Sequence, residues 1–369
     1  MEKSNHSSSQ ENIESGAINL LKNCANVNKG DRIVIVGESG PDPFFEVELC
    51  DVVAQVSQKM GCTAEIIMTA PMTLDDEFPK NLASAMETAD VTIFFSRLGD
   101  QQRFSSMPGA GKKIMTYTVS LDHLGAPFGR ADYQVGRKIQ QKLLKTLVRT
   151  KSYQIVAPCG TNLVSKLNPS EDFLKTAQTT TNFTVDLFPE MIFPPVNCLN
   201  LQGRVVFRHF LLSTGTRIYD NSALKINSDI IAIVENSRIV GFEGAPEEVK
   251  TLKDQLQRAA AITGGDPYII NSWHTGINPN TFYNGDPYAN LEQWGTVAFG
   301  SPRYTHIHCA GNEPGDVCLQ VFDATITCDD QVLWDKGEFV FLNKPEIKAI
   351  WQTDDGGNEM YQSSQSIGI

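Results

Sequence analysis

The stretch Arg32-Ile33-Val34-Ile35-Val36-Gly37-Glu38-Ser39-Gly40-Pro41 decides the fold of the N-terminal half of the chain. Four consecutive β-branched residues after Arg32 predict a strand that is buried on both faces of a parallel sheet. The glycines and the proline predict a turn, which leads into a helix from about Phe44 to Met60 and a second strand from Ala64 to Met68. Strand, helix and strand in this order form a right-handed βαβ unit, so the sequence predicts an open parallel α/β sheet.

Two further strands, at Val91–Phe95 and Ile114–Val119, extend the predicted sheet. The turn after the first strand lacks both the G-x-G-x-x-G pattern and the Gly-Lys-Ser/Thr of a P-loop, so a dinucleotide site is not predicted. His123 follows the fourth strand, in the region where open α/β sheets carry ligand-facing loops. It is a candidate catalytic residue, and a histidine that only packs or lies at the surface is the alternative.

The length of 369 residues predicts two domains, because a single core seldom grows beyond about 300 residues. Residues 1–11 are rich in Ser, Asn, Gln and Glu and are predicted to be a disordered tail. Residues 12–165 form the predicted N-terminal α/β domain, which ends near a strand at Tyr153–Ala157. Residues 166–369 form an α+β domain rich in antiparallel strands, because strand patterns dominate from about residue 180 onward.

The composition argues against several classes of partner. A formal charge of -12 and a pI near 5.0 disfavour a phosphate backbone, so no nucleic-acid partner is expected. No run approaches the roughly eighteen apolar residues of a membrane helix, and the N-terminus lacks the apolar core of a signal peptide. Eight cysteines without a C-x-x-C pair fit reduced thiols. We therefore expect a cytoplasmic protein without a membrane partner.

Chemistry-bearing residues concentrate between Trp273 and Asp323. Three of the six histidines, His274, His306 and His308, lie there together with the Asp323 carboxylate, which falls in an apolar strand pattern. Residues two apart on an extended segment point to the same side, so His306 and His308 can face one ion. His274 is predicted to sit in a turn that presents it from another direction. Two or three imidazoles with one carboxylate suit Fe(II), Zn(II) or Mn(II), and the spacing does not choose among them.

The spacing leaves open how many of these histidines bind a metal. We favour a site of His274, Asp323 and one of His306 and His308, because catalytic sites commonly keep an open coordination position. In that interpretation, the remaining histidine packs in the core. The alternative is a site in which all three histidines are ligands, and the sequence alone does not choose between His306 and His308.

Glu190 is a single carboxylate in the apolar, proline-rich segment from Leu187 to Pro195. Burial of a carboxylate without a partner is costly, so Glu190 needs a metal ion, a hydrogen-bond donor or a substrate. An ordinary buried ion pair with an arginine is the alternative.

Several segments of the chain resemble one enzyme superfamily, which includes the metallo-aminopeptidases of the aminopeptidase S/T type and the 2,5-dihydroxypyridine 5,6-dioxygenases. The matching segments are G-D-R-I-V-I-V at 30–36, P-C-G-T-N-L at 158–163, Pro189-Glu190, R-I-V-G-F-E-G at 238–244, W-H-T-G-I-N-P at 273–279 and the strand that ends with Asp323. The resemblance implies a bound metal ion and a homo-oligomer.

In the dioxygenases, the pattern implies Fe(II) held by a histidine that matches His274 and by an H-x-D pair on a later strand. Here that pair reads Val321-Phe322-Asp323, so either His306 or His308 supplies the missing imidazole or metal affinity is weakened or lost. The segment from Tyr304 to His308 is similar to a G-T-x-H segment of the aminopeptidases, which favours substitution.

The resulting prediction is a mononuclear Fe(II)-dependent oxygenase that acts on a small ring or an amino-acid-like substrate. By resemblance, Glu190 would bind metal or contact substrate, and Glu190 and His123 are the candidate bases that move protons. The first alternative is a metallo-aminopeptidase acting on a peptide-like substrate, although two metals would need more carboxylates than we can place. The second is a catalytically inactive member that binds a peptide or a metabolite, and Val321 supports it.

Overall fold

The protein is described by a computed structural model that covers residues 9–73, 76–167, 183–214, 222–312, 316–352 and 363–369. Most of the predicted N-terminal tail, residues 1–8, lies outside these ranges, and the first helix already begins at Gln10. The chain divides into two compact units, each assembled from separate segments. Of the described residues, the first comprises 9–73, 76–137 and 183–190, and the second comprises 138–167, 191–214, 222–312, 316–352 and 363–369.

The described helices alternate with strands in the first unit and are fewer in the second. They are α1 Gln10–Ile18, α2 Glu48–Lys59, α3 Lys80–Met86, α4 Arg97–Gln101, α5 Leu121–Gly125, α6 Pro127–Arg130, α7 Tyr133–Leu147, α8 Pro246–Thr263, α9 Leu291–Ala298 and α10 Pro345–Trp351. A π-helical turn, Asn19–Cys24, continues α1, and 3-10 turns span Pro287–Ala289 and Val340–Asn343.

The described strands form one parallel and one antiparallel sheet. They are β1 Arg32–Glu38, β2 Thr63–Thr69, β3 Val91–Phe95, β4 Lys112–Thr116, β5 Ser152–Val156, β6 Asn162–Lys166, β7 Asp186–Phe188, β8 Val196–Asn197, β9 Gln202–Phe207, β10 Phe210–Ser213, β11 Leu224–Lys225, β12 Ile230–Glu235, β13 Arg238–Glu243, β14 Asp266–Thr275, β15 Tyr304–Gly311, β16 Val317–Phe322, β17 Thr325–Cys328 and β18 Gln331–Trp334.

The first unit contains the predicted parallel sheet, in the order β2-β1-β3-β4-β7. Strand β1 pairs in parallel with both β2 and β3, and every residue of β1 after Arg32 is buried, as the apolar run predicts. Helix α2 buries one stripe that includes Leu49 and Val53, which completes the predicted βαβ unit. The fifth strand, β7, pairs with β4 and comes from the segment 183–190, far later in the chain.

The second unit is built on an antiparallel sheet of 13 described strands in which β10, β16, β15, β14 and β13 are consecutive neighbours. Strands β12 and β13 form a hairpin, in which Asn236 and Ser237 take the left-handed φ angles of 48° and 62° that tight hairpin turns require. Helix α8 packs against β14 and β15. On the same strand as His274, the neighbouring Trp273 is fully buried among Tyr153, Phe193 and Trp334.

Three local predictions were wrong. His274 does not lie in a turn, because β14 continues through it to Thr275. Asp323, which falls in an apolar strand pattern, does not lie in a strand, because its φ of 51° is incompatible with an extended conformation and β16 ends at Phe322. The strand near Tyr153, predicted to end the first domain, instead pairs with β6 and β17 in the antiparallel sheet of the second unit.

Among the described residues, none of the helices is both long enough and apolar enough to traverse a lipid bilayer.

Candidate functional site

Three adjacent antiparallel strands of the second unit bring the predicted histidines together. In the register of β14, β15 and β16, His274 lies opposite His306, and His306 lies opposite Gln320. His308 follows His306 by two residues and lies opposite Ser272. Directly opposite residues point to the same face of a sheet, and so do residues two apart. The three imidazoles therefore share one face, with ring centroids 4.8, 4.9 and 6.3 Å apart.

His274 and His308 form a pair of imidazoles in hydrogen-bond contact. Their Nε2 atoms are 2.9 Å apart, the Nδ1 atom of His274 lies 3.1 Å from the carbonyl oxygen of Phe193, and the Nδ1 atom of His308 lies 2.8 Å from Oγ1 of Thr214. A carbonyl oxygen can only accept, so Nδ1 of His274 carries the proton and its Nε2 carries a lone pair. Without a cation between the rings, His308 donates from Nε2 and accepts a hydrogen bond from the Thr214 hydroxyl.

The same arrangement suits a shared metal ion. Histidine ligands usually donate their second ring N–H to a carbonyl or a similar oxygen, as Nδ1 of His274 does here. Two nitrogens bound to one ion at right angles lie about 3 Å apart, which matches the observed separation of the two Nε2 atoms. Thr214 is compatible with both the metal-free and the metal-bound pair, because its hydroxyl can either donate to Nδ1 of His308 or accept from it.

His306 is the unusual member of the cluster. Its side chain is 2% exposed, and neither ring nitrogen has a hydrogen-bond partner among the described residues. The rings of Tyr304 and Phe299 lie 4.0 and 6.0 Å away, between centroids. Burial first, and then the proximity of His274 and His308, lower the pKa of His306 well below its usual value. His306 is therefore neutral, and its two buried nitrogens lack compensation for their lost hydration.

We expect His306→Leu to raise the free energy of unfolding of the metal-free protein by about 1–3 kcal/mol, because it removes buried polar atoms that have no protein partner. His308→Leu is the matched control and should lower it, since the same change breaks the contacts to Thr214 and His274. Urea unfolding in the presence of a chelator, followed by tryptophan fluorescence, measures both. Equal losses of stability in the two variants would contradict the inference that the buried nitrogens of His306 destabilise the metal-free protein.

Asp323 does not join the imidazoles. Its carboxylate forms a two-point ion pair with Arg303, in which Nε lies 2.8 Å from Oδ1 and the second guanidinium nitrogen lies 3.0 Å from Oδ2. Oδ1 also lies against Gly337, where an added Cβ would be 2.6 Å away. The side chain is 33% exposed, so solvent also reaches it. Arg303 thus supplies the charge compensation that the sequence prediction assigned to a metal.

The residues fit a metal ion only in part. Across the described ranges, no group of three His, Cys, Asp or Glu side chains is arranged to hold one. The His274–His308 pair offers two imidazole nitrogens of the right kind and separation, and Asp323 is paired elsewhere. Any ion held by the pair would complete its coordination with solvent or substrate.

The two predicted bases belong to the first unit. Glu190 is buried, and its Oε2 atom lies 3.1 Å from a guanidinium nitrogen of Arg137, so the ion-pair alternative for this carboxylate is the one observed. Burial raises the pKa of Glu190 to about 7, although the charge and hydrogen bond of Arg137 oppose the shift. His123 is also buried, on α5, where its ring packs edge-on against Phe128 at 5.7 Å. Their role as bases stays a prediction.

Sequence reasoning missed three residues that shape the cluster. Thr214 and Phe193 hold the outer nitrogens of the imidazole pair, and nothing in the sequence links them to His308 or His274. Gln320 could have been found, because it is a polar residue inside the apolar run Val317-Cys318-Leu319-Gln320-Val321-Phe322. A polar residue in an apolar strand pattern is also the signal that singled out Asp323.

Two solved structures are similar to nearly the whole chain. The 2,5-dihydroxypyridine dioxygenase from Pseudomonas putida KT2440 is 13% identical, with a TM-score of 0.58 over 92% of this chain and 99% of that one. AmpT from Thermus thermophilus, an aminopeptidase, is 12% identical, with a TM-score of 0.50 over 90% of this chain and 99% of that one. No protein-family model and no curated protein matches the sequence. The predicted relationship is thereby confirmed for the fold, which both enzymes share with this chain.

Proposed function

We propose that the chain is a metal-dependent enzyme and that it acts as a mononuclear Fe(II)-dependent oxygenase on a small ring or an amino-acid-like substrate. The observation that carries the proposal is the convergence of the His274 and His308 Nε2 atoms to 2.9 Å, with each outer nitrogen held by an oxygen. Similarity of fold to a dioxygenase supports the choice of oxygenase. Zn(II) or Mn(II) in place of iron is the alternative.

In this proposal His274 and His308 hold the metal, and a bound iron would supply a centre at which dioxygen and substrate are brought together. The remaining work falls to the protein. The Phe193 carbonyl fixes the orientation of the His274 ring, and Thr214 does the same for His308. Burial of the cluster beside Tyr304 and Phe299 keeps bulk water away from its inner side.

A binding protein without catalytic metal is the second candidate. It is favoured by a specific observation, the ion pair of Asp323 with Arg303, which removes the carboxylate from the predicted ligand set. A two-metal aminopeptidase is less well supported, because Glu190 and Asp323, the two carboxylates that it would use, are both paired with arginines.

Metal analysis of protein purified without an affinity tag tests the proposal. We expect about one iron per chain after anaerobic Fe(II) loading, and loss of that iron in His274→Ala and in His308→Ala. Asp323→Asn should keep the metal, because its partner is Arg303, and His209→Ala is the control histidine, in contact with Tyr288 instead of the cluster. One or two zinc ions would move the proposal to hydrolysis. Absence of any metal in the loaded wild type would overturn it in favour of the binding protein.

A further inference from the structure

The single Asn-Gly pair of the sequence, Asn284-Gly285, lies in the loop between β14 and the 3-10 turn Pro287–Ala289 of the second unit. Both residues are exposed. Asparagine is chemically labile, because the main-chain nitrogen of the next residue can attack its side-chain amide. A glycine in the next position leaves that nitrogen unshielded and its backbone free to turn toward the amide.

The fold leaves both reacting groups of this pair free. Neither the Asn284 side chain nor the backbone N–H of Gly285 has a hydrogen-bond partner in the described part of the chain. Asn343 is also exposed but differs on both points. The residue after it, Lys344, carries a side chain, and the Lys344 backbone N–H donates to the carbonyl oxygen of Phe341 at 3.2 Å. Asn284 is therefore open to attack, whereas Asn343 is protected.

The reaction needs no reagent except water. The Gly285 nitrogen forms a bond to Cγ of Asn284 as the bond from Cγ to Nδ2 breaks, and ammonia leaves with the proton of the Gly285 N–H. Water then opens the resulting succinimide ring at one of its two carbonyl carbons. Opening at the side-chain carbonyl gives aspartate, and opening at the main-chain carbonyl gives isoaspartate. In isoaspartate the main chain runs through Cβ and Cγ, so it is longer by one methylene group.

Both flanks of Asn284 contact a second segment, residues 364–368, which we call the strap. On one side, the backbone N–H of Tyr283 donates to the carbonyl oxygen of Ser366 at 3.1 Å. On the other side, Gly368 packs so closely that an added Cβ would be 3.2 Å from the carbonyl oxygen of Gly285. An extra methylene group between Tyr283 and Gly285 changes the spacing of these two contacts along the strap.

The strap also has an anchor that the reaction does not touch. Ile367 is fully buried, and its carbonyl oxygen accepts a hydrogen bond from Nε1 of the buried Trp294 at 2.7 Å. Modification at Asn284 should therefore loosen the strap locally without unfolding the second unit.

We propose that Asn284-Gly285 is a self-modifying site, which converts to isoaspartate and aspartate without an enzyme, and that the isoaspartate weakens the contact between its loop and the strap. Neither a metal ion nor a substrate takes part. The inference is therefore independent of the proposed function.

Peptide mapping by mass spectrometry, after incubation of the folded protein in mildly alkaline buffer, measures the reaction. We expect Asn284 to lose its amide at least about tenfold faster than Asn343, a difference of about 1.4 kcal/mol in activation free energy. Gly285→Ala should slow the reaction by a similar factor, because the added methyl group shields the nitrogen. The three atoms nearest to that Cβ all belong to the phenol group of Tyr283, which can turn aside.

Hydrogen exchange measures the effect on the strap, after ion-exchange chromatography has separated the modified protein and enzymatic methylation has identified isoaspartate. We expect the backbone N–H of Tyr283, which is bonded to Ser366, to exchange faster in the isoaspartate form. The amides of the hairpin between β12 and β13 are the control and should not change.

Equal rates at Asn284 and Asn343 in the wild type would overturn the proposal, and this comparison needs no variant. So would a rate at Asn284 that is more than about tenfold lower in the folded protein than in urea-unfolded protein, because the fold would then protect the site. Unchanged exchange of the Tyr283 N–H in the isoaspartate form would overturn the inferred effect on the strap.

Discussion

Replacing Gly276 with alanine is expected to lower the free energy of unfolding of the second unit by about 3 kcal/mol or more. A Cβ at this position would lie 2.1 Å from both the backbone carbon and the oxygen of Gly300 and 2.4 Å from the backbone carbon of Ser301. Backbone atoms cannot turn away as a flexible side chain can, and overpacking of a fitted core typically costs about 1–3 kcal/mol even where side chains yield.

The contacts around Gly276 make relaxation difficult. Its carbonyl oxygen accepts a hydrogen bond from Nε1 of the buried Trp334 at 3.1 Å, and the oxygen of Gly300 accepts one from the backbone N–H of Asn278. Any shift of the chain that relieves the clash therefore disturbs a strand end only two residues from His274. We expect the same variant to lose metal binding, as judged by metal content.

Chemical denaturation measures the effect of Gly276→Ala, and Gly241→Ala is the matched control. Gly241 lies in β13 of the same unit, and an added Cβ there would meet nothing closer than Cγ1 of Ile233 at 4.0 Å. The control should change stability by less than about 0.5 kcal/mol, as is usual for substitutions that meet no obstacle. Similar stabilities for the two variants would show that the strand end at Gly276 is less tightly fitted than its contacts indicate.

Arg137→Met is expected to destabilise the first unit by about 3 kcal/mol at pH 8 and by much less at pH 5. Removing one partner of a buried ion pair leaves the other charge uncompensated, at a cost of about 3–5 kcal/mol. The lower end applies because the Arg137 side chain is 39% exposed, so solvent already screens part of the interaction.

The pH dependence follows from Glu190, whose pKa is raised from 4.5 to about 7, chiefly by burial. Between these values the folded protein holds a proton that the unfolded chain releases, so this carboxyl makes stability fall as pH rises from about 4.5 to 7. Loss of Arg137 removes the main group that favours the carboxylate, so the pKa of Glu190 rises further. The pH range over which this carboxyl lowers stability then extends above pH 7. At pH 5 the protonated carboxyl needs no counter-charge.

Urea unfolding of four proteins at pH 5 and pH 8 separates these effects. These four proteins are the wild type, Arg137→Met, Glu190→Gln and the double variant, which form a double-mutant cycle. In the double variant, Glu190→Gln should recover most of the stability that Arg137→Met loses at pH 8. A loss in Arg137→Met that is equal at the two pH values would mean that the arginine stabilises the unit by packing of its aliphatic stem and not through the Glu190 charge.

Predictions that rest on residues close together in the sequence agree with the structure. The apolar run of β1 and its glycine turn specify a buried parallel strand, because both faces of such a strand need apolar side chains. The shared face of His306 and His308 follows from strand geometry alone. These features need no knowledge of what lies elsewhere in the chain.

Partners distant in sequence were beyond such reasoning. The sequence indicated that Glu190 needs a partner and made Asp323 a candidate metal ligand. It did not show that Arg137, 53 residues away from Glu190, and Arg303 pair with these carboxylates. The hydrogen bond from Nε2 of Gln320 to the carbonyl oxygen of Cys318 likewise depends on which way a β16 side chain turns. Charge compensation is set by three-dimensional proximity, and composition and spacing carry little information about it.

The late position of β7 in the sequence affects how the first unit folds during synthesis on the ribosome. Strand β4 gains its outer neighbour, and Arg137 its carboxylate, only when residues 186–190 have been translated. Until then the parallel sheet exposes β4 as an unprotected edge, the kind of surface on which chains pair with one another and aggregate. A fragment that ends at residue 165, where the sequence suggests a domain boundary, would lack β7 and would keep β4 exposed as a sheet edge.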